Sequence, residues 1–337
     1  MDVYRLVNRP GSSVSFIALG GIITGIEVPD RAGRRANVVL AFADLAAYIT
    51  QRIYFGCIVG RYAKRIANAR FTLDGWEYFL TPTDGASSVH GGHRGFDKAI
   101  WQITQETPTS ALLRHRSPDG EEGYPGTLDV SVRYTFTDFD ELQLDYEAVT
   151  DRPTIVNLTN HSYFNLAGEG SGDILGHRLQ INASSYTPAD AFLLPTGGIA
   201  PVDGTPYDFR NPEIIGNRIR TAHPQMIGGR GYDLNYVIDR NLHGAHVLAA
   251  ILHDPQSGRT MEVLTTEPGL QLYTGNLLDG TVAGPSGRLY RQSDGLCLEI
   301  HHYPDSPNRP EFPSTVLRPS ELYRSSTIYR FGIAMQG

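Results

Sequence analysis

Glycine and proline punctuate this chain from end to end, and that spacing limits what it can build. There are 36 glycines and 21 prolines in 337 residues, about one residue in six against a usual share of roughly 12%. They are not gathered into a linker. Between them lie short runs rich in Val, Ile, Thr, Tyr and Phe, such as Ser15–Leu19, Leu128–Phe136, Leu142–Thr150 and Met261–Thr266. Val130, Val132, Tyr134 and Phe136 alternate with Ser131, Arg133 and Thr135, the period of a half-buried strand. Leu142, Leu144, Tyr146 and Ala148 repeat the alternation after Asp138-Phe139-Asp140-Glu141, which predicts a hairpin.

Helical signals are few. Ala43–Gln51 predicts a short helix and Arg240–Ala250 a turn or two. No strand is followed by a dinucleotide-binding glycine fingerprint, strands and helices do not alternate, and no fixed-period repeat is present. The expected fold class is all-β, a large antiparallel β-sandwich formed by residues 1–337 as one domain, with long Gly-rich loops to carry function.

Hydrophobic residues make up 40%, and the net charge is −7 with a pI near 5.9. Nothing there is the basic footprint of a nucleic-acid binder. The first residues lack the basic and apolar regions of a secretory leader, and the apolar runs are too short to span a bilayer. Cys57 and Cys297 are far apart and form no CxxC pattern. The expectation is two buried thiols in a cytoplasmic protein with no membrane partner.

Three histidine segments carry candidate chemistry. In Ser88-Val89-His90-Gly91-Gly92-His93, paired glycines let backbone and imidazole approach a ligand closely, or simply make a turn. In Asn157-Leu158-Thr159-Asn160-His161-Ser162, one ionisable ring sits among neutral hydrogen-bonding residues that can fix its tautomer. In Leu296-Cys297-Leu298-Glu299-Ile300-His301-His302, a strand would put Glu299 and His301 on one face and Leu298, Ile300 and His302 on the other. A glutamate in so apolar a run is costly to bury without a partner. Arg61 and Arg65 are planar, permanently charged donors. Asp233, in a turn-rich loop, either caps a turn or accepts sugar hydroxyls. Metal signals are weak. There is no HExxH, His243 and His246 are spaced i,i+3 without a carboxylate, and adjacent His301 and His302 point apart. P-loop and GxSxG motifs are absent.

Taken in order, several blocks resemble the aldose 1-epimerase family. They are Tyr54-Phe55-Gly56 leading to Gly60-Arg61, Arg65 through Gly75, His90-Gly91-Gly92 with Gly95-Phe96-Asp97-Lys98, and Ser117 through Gly126. Asn157 through Leu166, Thr205 through Arg210, Glu267 through Asn276 and the tail from Glu299 to Pro313 complete the set. Any one block is weak, whereas eight in the family's order are specific. The resemblance implies a galactose mutarotase-like sandwich with an open sugar cleft. It implies an enzyme that interconverts the anomers of a free aldose such as glucose or galactose, without metal or organic cofactor. Glu299 looks like the base at the anomeric hydroxyl, His161 like the acid at the ring oxygen, and His90 like a second donor there. Arg65, Asp233 and Gln271 look like hydroxyl-binding residues.

Two positions depart from the family's pattern: Lys64 replaces an asparagine beside Arg65, and Ile300-His301 replaces Thr-Gln. Both changes add potential positive charge at the cleft, so Lys64 is a candidate substrate-binding residue that could favour an aldose bearing an acidic group. Otherwise it points to solvent or pairs with a nearby Asp or Glu, the commoner outcome for such a charge. A monomer or homodimer binding only a monosaccharide is expected. The competing readings are a non-catalytic carbohydrate-binding protein on this scaffold and a glycoside hydrolase, which usually needs two carboxylates.

Overall fold

A computed structural model describes residues 2–240 and 245–334. Its largest element is a nine-stranded antiparallel sheet. The order is Gln102–Thr107, Ser110–Ser117, Leu128–Phe136, Glu141–Thr150, Tyr323–Ile333, Arg259–Thr265, Val247–His253, Arg178–Ile181 and Glu213–Ile214. The predicted hairpin is present, with Leu128 opposite Thr150 and Phe136 opposite Leu142. Burial along Leu128–Phe136 alternates at every residue, so one face is wet and the other is core.

A five-stranded sheet packs its apolar face against that core. Its order is Ala200–Pro201, Ser185–Thr187, Asp233–Val237, Gly269–Tyr273 and Cys297–His301. Leu234, Tyr236, Leu270, Leu272, Leu298 and Ile300 join Val132, Tyr134, Leu144, Val263 and Tyr329 of the large sheet in one hydrophobic cluster. The Tyr329 hydroxyl donates to the Leu298 carbonyl at 3.4 Å and ties the layers together. A four-stranded sheet from Val3–Val7 to Arg35–Asn37 closes one side, its Phe16 ring packed edge-on against Tyr134. The class is therefore all-β, as the breakers and alternation require.

Two helical expectations need correction. The Ala43–Gln51 helix contracts to one turn, Ala47–Thr50. The Arg240–Ala250 stretch gives no helix where it is described, because Val247–His253 is a strand paired with Arg259–Thr265. Its Val, Leu and Ile fit a sheet edge-to-edge with 259–265 better than they fit a free helix. His243 lies outside the described residues, and His246 bonds the Ser326 hydroxyl at 2.9 Å. Both cysteines are buried free thiols. Among the described residues no helix is long and apolar enough to cross a membrane.

Leu298 is 1% exposed at the seam between the two layers. Leu298→Ala is expected to cost about 2–5 kcal/mol through lost burial and the cavity left behind. The check is urea unfolding, where the midpoint should fall at unchanged slope.

Candidate active site

The face of the small sheet turned away from that core is where the chemistry gathers. Cross-strand pairing sets Asn235 opposite Gln271 and Gln271 opposite Glu299, and one step along sets Asp233 opposite Tyr273 and Tyr273 opposite Cys297. The intervening residues point into the core, so alternation alone turns Asp233, Gln271, Cys297, Glu299 and His301 to the other side. The sequence reading that Glu299 and His301 share a face therefore agrees with the register. Glu299 is only 1% exposed, and its Oε2 has no hydrogen-bond partner.

Two loops bring histidines over this face. His161 follows the Thr159–Asn160 strand, which pairs with Ile58–Val59. Its backbone is pinned on both sides, from His161 N–H to the Cys57 carbonyl at 2.9 Å and from Gly56 N–H to the His161 carbonyl at 3.0 Å. The ring places Nε2 3.6 Å from Glu299 Oε2. The neutral residues around it act differently from the expectation. Asn157 and Asn160 use their amides to hold backbone carbonyls of Ala63, His302 and Gly56. The ring's Nδ1 instead meets Cys297 Sγ at 3.5 Å.

His90 follows Ser88–Val89, which pairs with Arg65–Ile66. Its N–H donates to the Lys64 carbonyl at 3.2 Å, and Lys64 N–H donates back to His90 Nδ1 at 3.4 Å. The paired glycines serve protein packing: Gly91 has φ +90°, and a Cβ there would lie 1.9 Å from the Gly60 carbonyl oxygen. Ligand atoms of His90, His161 and Glu299 all lie within 4.8 Å of one another. Tyr54 covers both rings, 4.7 Å from His90 and 5.8 Å from His161 between centroids. Tyr163 stacks on His161 at 5.2 Å.

The cavity over these groups has a volume of about 180 Å³, and Lys64, Arg65 and Asp233 line it together with the catalytic candidates. Two larger grooves, about 680 and 860 Å³, lie over the nine-stranded sheet, away from Glu299 and both histidines. Lys64 Nζ pairs with Asp233 Oδ1 at 3.0 Å, and Gln271 Nε2 donates to the same oxygen at 2.5 Å. Burial pushes the Asp233 carboxyl up, but Lys64, Arg65 and these bonds outweigh it and hold the group below its ordinary value. Arg65 faces the cavity while paired with Asp84 at 2.9 Å.

Of the two readings of Lys64, the ion pair is the one present. The Lys64 charge is answered by Asp233, and burial holds His301 neutral, pushed down to about 4. Arg61 is also resolved. It is buried and donates to Ser117 Oγ and to the carbonyls of Ser117, Pro118, Pro125 and Gly126, so it braces a loop away from the cavity. Tyr54, Tyr163, Tyr273 and Cys297 line or support the site without having stood out in the sequence. Tyr54 and Cys297 lie inside segments singled out for other residues, and no spacing rule marks them.

Distances alone would suit a metal, since tetrahedral ligands at about 2.0–2.1 Å stand roughly 3.4 Å apart. The chemistry of His90 opposes it. Metal-bound histidines normally donate their second N–H to an acceptor, whereas His90 Nδ1 receives an N–H from Lys64. The same bond leaves the ring proton on Nε2, making His90 a donor.

The protein is thus a layered antiparallel sandwich in which an imidazole–carboxylate pair faces a cavity beside the smaller sheet. The aldose 1-epimerase family profile matches residues 2–330. Galactose mutarotase of Rattus norvegicus is 46% identical over 322 residues, covering 96% of this chain and 92% of the relative. Aldose 1-epimerase of Escherichia coli K12 is 38% identical over 333 residues, covering 97% and 95%. The crystal structure of a GalM/aldose epimerase homologue from C. elegans superposes with a TM-score of 0.91 at 27% identity, over 99% of both chains. The chain belongs to the aldose 1-epimerase family and is a carbohydrate epimerase.

The buried histidines make stability depend on pH. His177, whose Nε2 accepts the Leu166 N–H, and His301 are both pushed down to about 4 by burial, from 6.5. His90 and His161 are also lowered, again chiefly by burial. Below pH 6.5 the unfolded chain takes up protons that the folded chain refuses. The stabilisation is therefore complete above pH 6.5 and is lost as pH falls toward about 4, on the order of 3 kcal/mol for each of His177 and His301. His302, raised because Glu267 outweighs its burial, works in the opposite sense. Urea unfolding at pH 7 and pH 5 should show a lower midpoint at pH 5, and equal midpoints would contradict the assignment.

Proposed function

We propose that the enzyme interconverts the α and β anomers of a free aldose, with Glu299 as base and His161 as acid. The observation that carries this is the 3.6 Å approach of His161 Nε2 to a Glu299 oxygen that has no other partner, at the floor of a cavity of monosaccharide scale. Mutarotation requires a base at O1 and an acid at O5. Both oxygens are bonded to C1, so the two groups must stand side by side.

Glu299 removes the O1 proton as His161 delivers one to O5, and the C1–O5 bond breaks to give the open aldehyde. Rotation about C1–C2 presents the other carbonyl face. His161 then recovers the proton from O5 while Glu299 returns one to the carbonyl oxygen. The pair ends with the protons it began with. Burial disfavours the charged His161 ring, while the Glu299 carboxylate favours it. His90, with its proton on Nε2, adds a donor toward the ring oxygen. Arg65, Asp233 and Gln271 orient hydroxyls, and the unpartnered Gln271 Oε1 is an acceptor awaiting one. Lys64 positions Asp233 and shares in hydroxyl binding. No step needs a metal or organic cofactor.

A glycoside hydrolase reading is weaker, because the group facing Glu299 is an imidazole rather than a second carboxylate. A purely sugar-binding role would leave the acid–base pair without purpose. Two unpaired buried thiols support a reducing, cytoplasmic setting, and we propose a single domain acting as a monomer or homodimer.

Polarimetry on freshly dissolved α-glucose and α-galactose tests the assignment. Glu299→Gln should lower kcat at least about 10²-fold with circular dichroism unchanged, and His161→Asn should nearly abolish turnover. Near-normal mutarotation in either folded variant removes that residue's role. Activity should survive prolonged EDTA treatment.

A second measurement concerns Lys64. Because its charge is already paired, Lys64→Asn should change the glucuronate-to-glucose ratio of kcat/KM by less than about tenfold, the effect expected of a charge-assisted bond to substrate. A larger change would restore the acidic-aldose reading.

A further inference from the structure

A general acid must carry its proton on the nitrogen that faces the substrate, and a neutral imidazole has two to choose from. In His161 the two nitrogens meet alternate residues of one strand. Nε2 faces Glu299 Oε2 at 3.6 Å, and Nδ1 faces Cys297 Sγ at 3.5 Å. A proton on Nδ1 would leave the Nε2 lone pair pointing at carboxylate lone pairs. A proton on Nε2 turns that edge into N–H toward carboxylate and makes Nδ1 an acceptor for the thiol S–H.

Among the described residues Nδ1 has no other hydrogen-bond partner. Asn157 and Asn160 are committed to backbone, and Tyr163 stacks on the ring face. Tyr273, opposite Cys297 across the sheet, has its hydroxyl engaged by Leu277 N–H. Cys297 is fully buried, and burial pushes its thiol well up, so the S–H stays protonated. A thiol is a weak donor and a weak acceptor. It can donate to the neutral ring and accept from Nδ1–H of the charged ring, so it steers the proton without locking either state.

We propose that Cys297 is a positioning residue for the acid, its S–H holding His161 Nδ1 as an acceptor and thereby keeping the ring proton on the substrate-facing Nε2. It touches no substrate and exchanges no proton with it. His90 shows the same logic with a backbone donor, Lys64 N–H on Nδ1. The catalytic consequence rests on His161 being the acid, whereas the tautomer does not.

The test is nitrogen-15 NMR of histidine-labelled full-length enzyme, with the His161 signals assigned by their loss in His161→Asn, alongside polarimetric kinetics. Wild type should show Nε2–H. Cys297→Ala should give a mixture of tautomers and a kcat lower by up to about tenfold at unchanged KM, the scale of one hydrogen bond. Cys297→Ser keeps a donor and should hold Nε2–H with kcat close to wild type. Wild type protonated on Nδ1, or Cys297→Ala retaining pure Nε2–H, overturns the proposal, whatever the kinetics. A shifted tautomer with unchanged kcat upholds the thiol's hold on the ring and overturns His161 as the acid.

Discussion

Burying Glu299 is the cost around which the rest of the cleft is organised. An ionised carboxylate removed from water is strongly destabilising unless charges and hydrogen bonds surround it. The strand that carries it, Cys297–His301, is buried at every residue, with Leu298 and Ile300 in the core and Glu299 on the opposite face. His161 supplies the facing imidazole, while Lys64 and Gln271 both bond Asp233 beside it. The Asp233 charge is thus answered by Lys64, while Glu299 Oε2 faces His161 with no hydrogen bond of its own. Strand register sets this geometry, so a shift by one residue would send Glu299 into the hydrocarbon and Leu298 into the cleft.

Pre-organisation continues outward from that floor. The His161 backbone is clamped to the 56–57 segment, and His90 is held by reciprocal bonds with Lys64. Tyr54 spans both rings. The rings therefore owe their placement to backbone bonds and aromatic packing more than to polar side chains. In the proposed mechanism, groups fixed this way need little rearrangement as charge moves between O1 and O5.

The all-β class was legible because glycine, proline and alternating apolar residues are local signals, and the Leu128–Thr150 hairpin follows from them directly. The 240–250 stretch misled because Val, Leu, Ala and Ile there serve equally in a helix or a buried strand, and pairing with 259–265 decides between them. Glu299, His161 and His90 could be named from ordered blocks, yet nothing local shows that residues so far apart meet. Arg61 and Lys64 show the limit most clearly. Both read as donors whose partners the sequence does not name, and one makes five bonds to Ser117, Pro118, Pro125 and Gly126 while the other pairs with Asp233. Partner identity is a tertiary fact. Cys297 stayed silent for the same reason, since a buried thiol has no pattern until its neighbour is known.

The Tyr323–Ile333 strand lies in the middle of the large sheet, between Glu141–Thr150 and Arg259–Thr265, although it is the last strand in chain order among the described residues. A ribosome making this chain therefore releases two half-sheets with bare inner edges long before the piece that joins them emerges. Such edges are templates for pairing with other chains, and long-range strand closure is slow. The large sheet cannot close until Tyr323–Ile333 has been made, and the interval before that is when a chaperone would matter most.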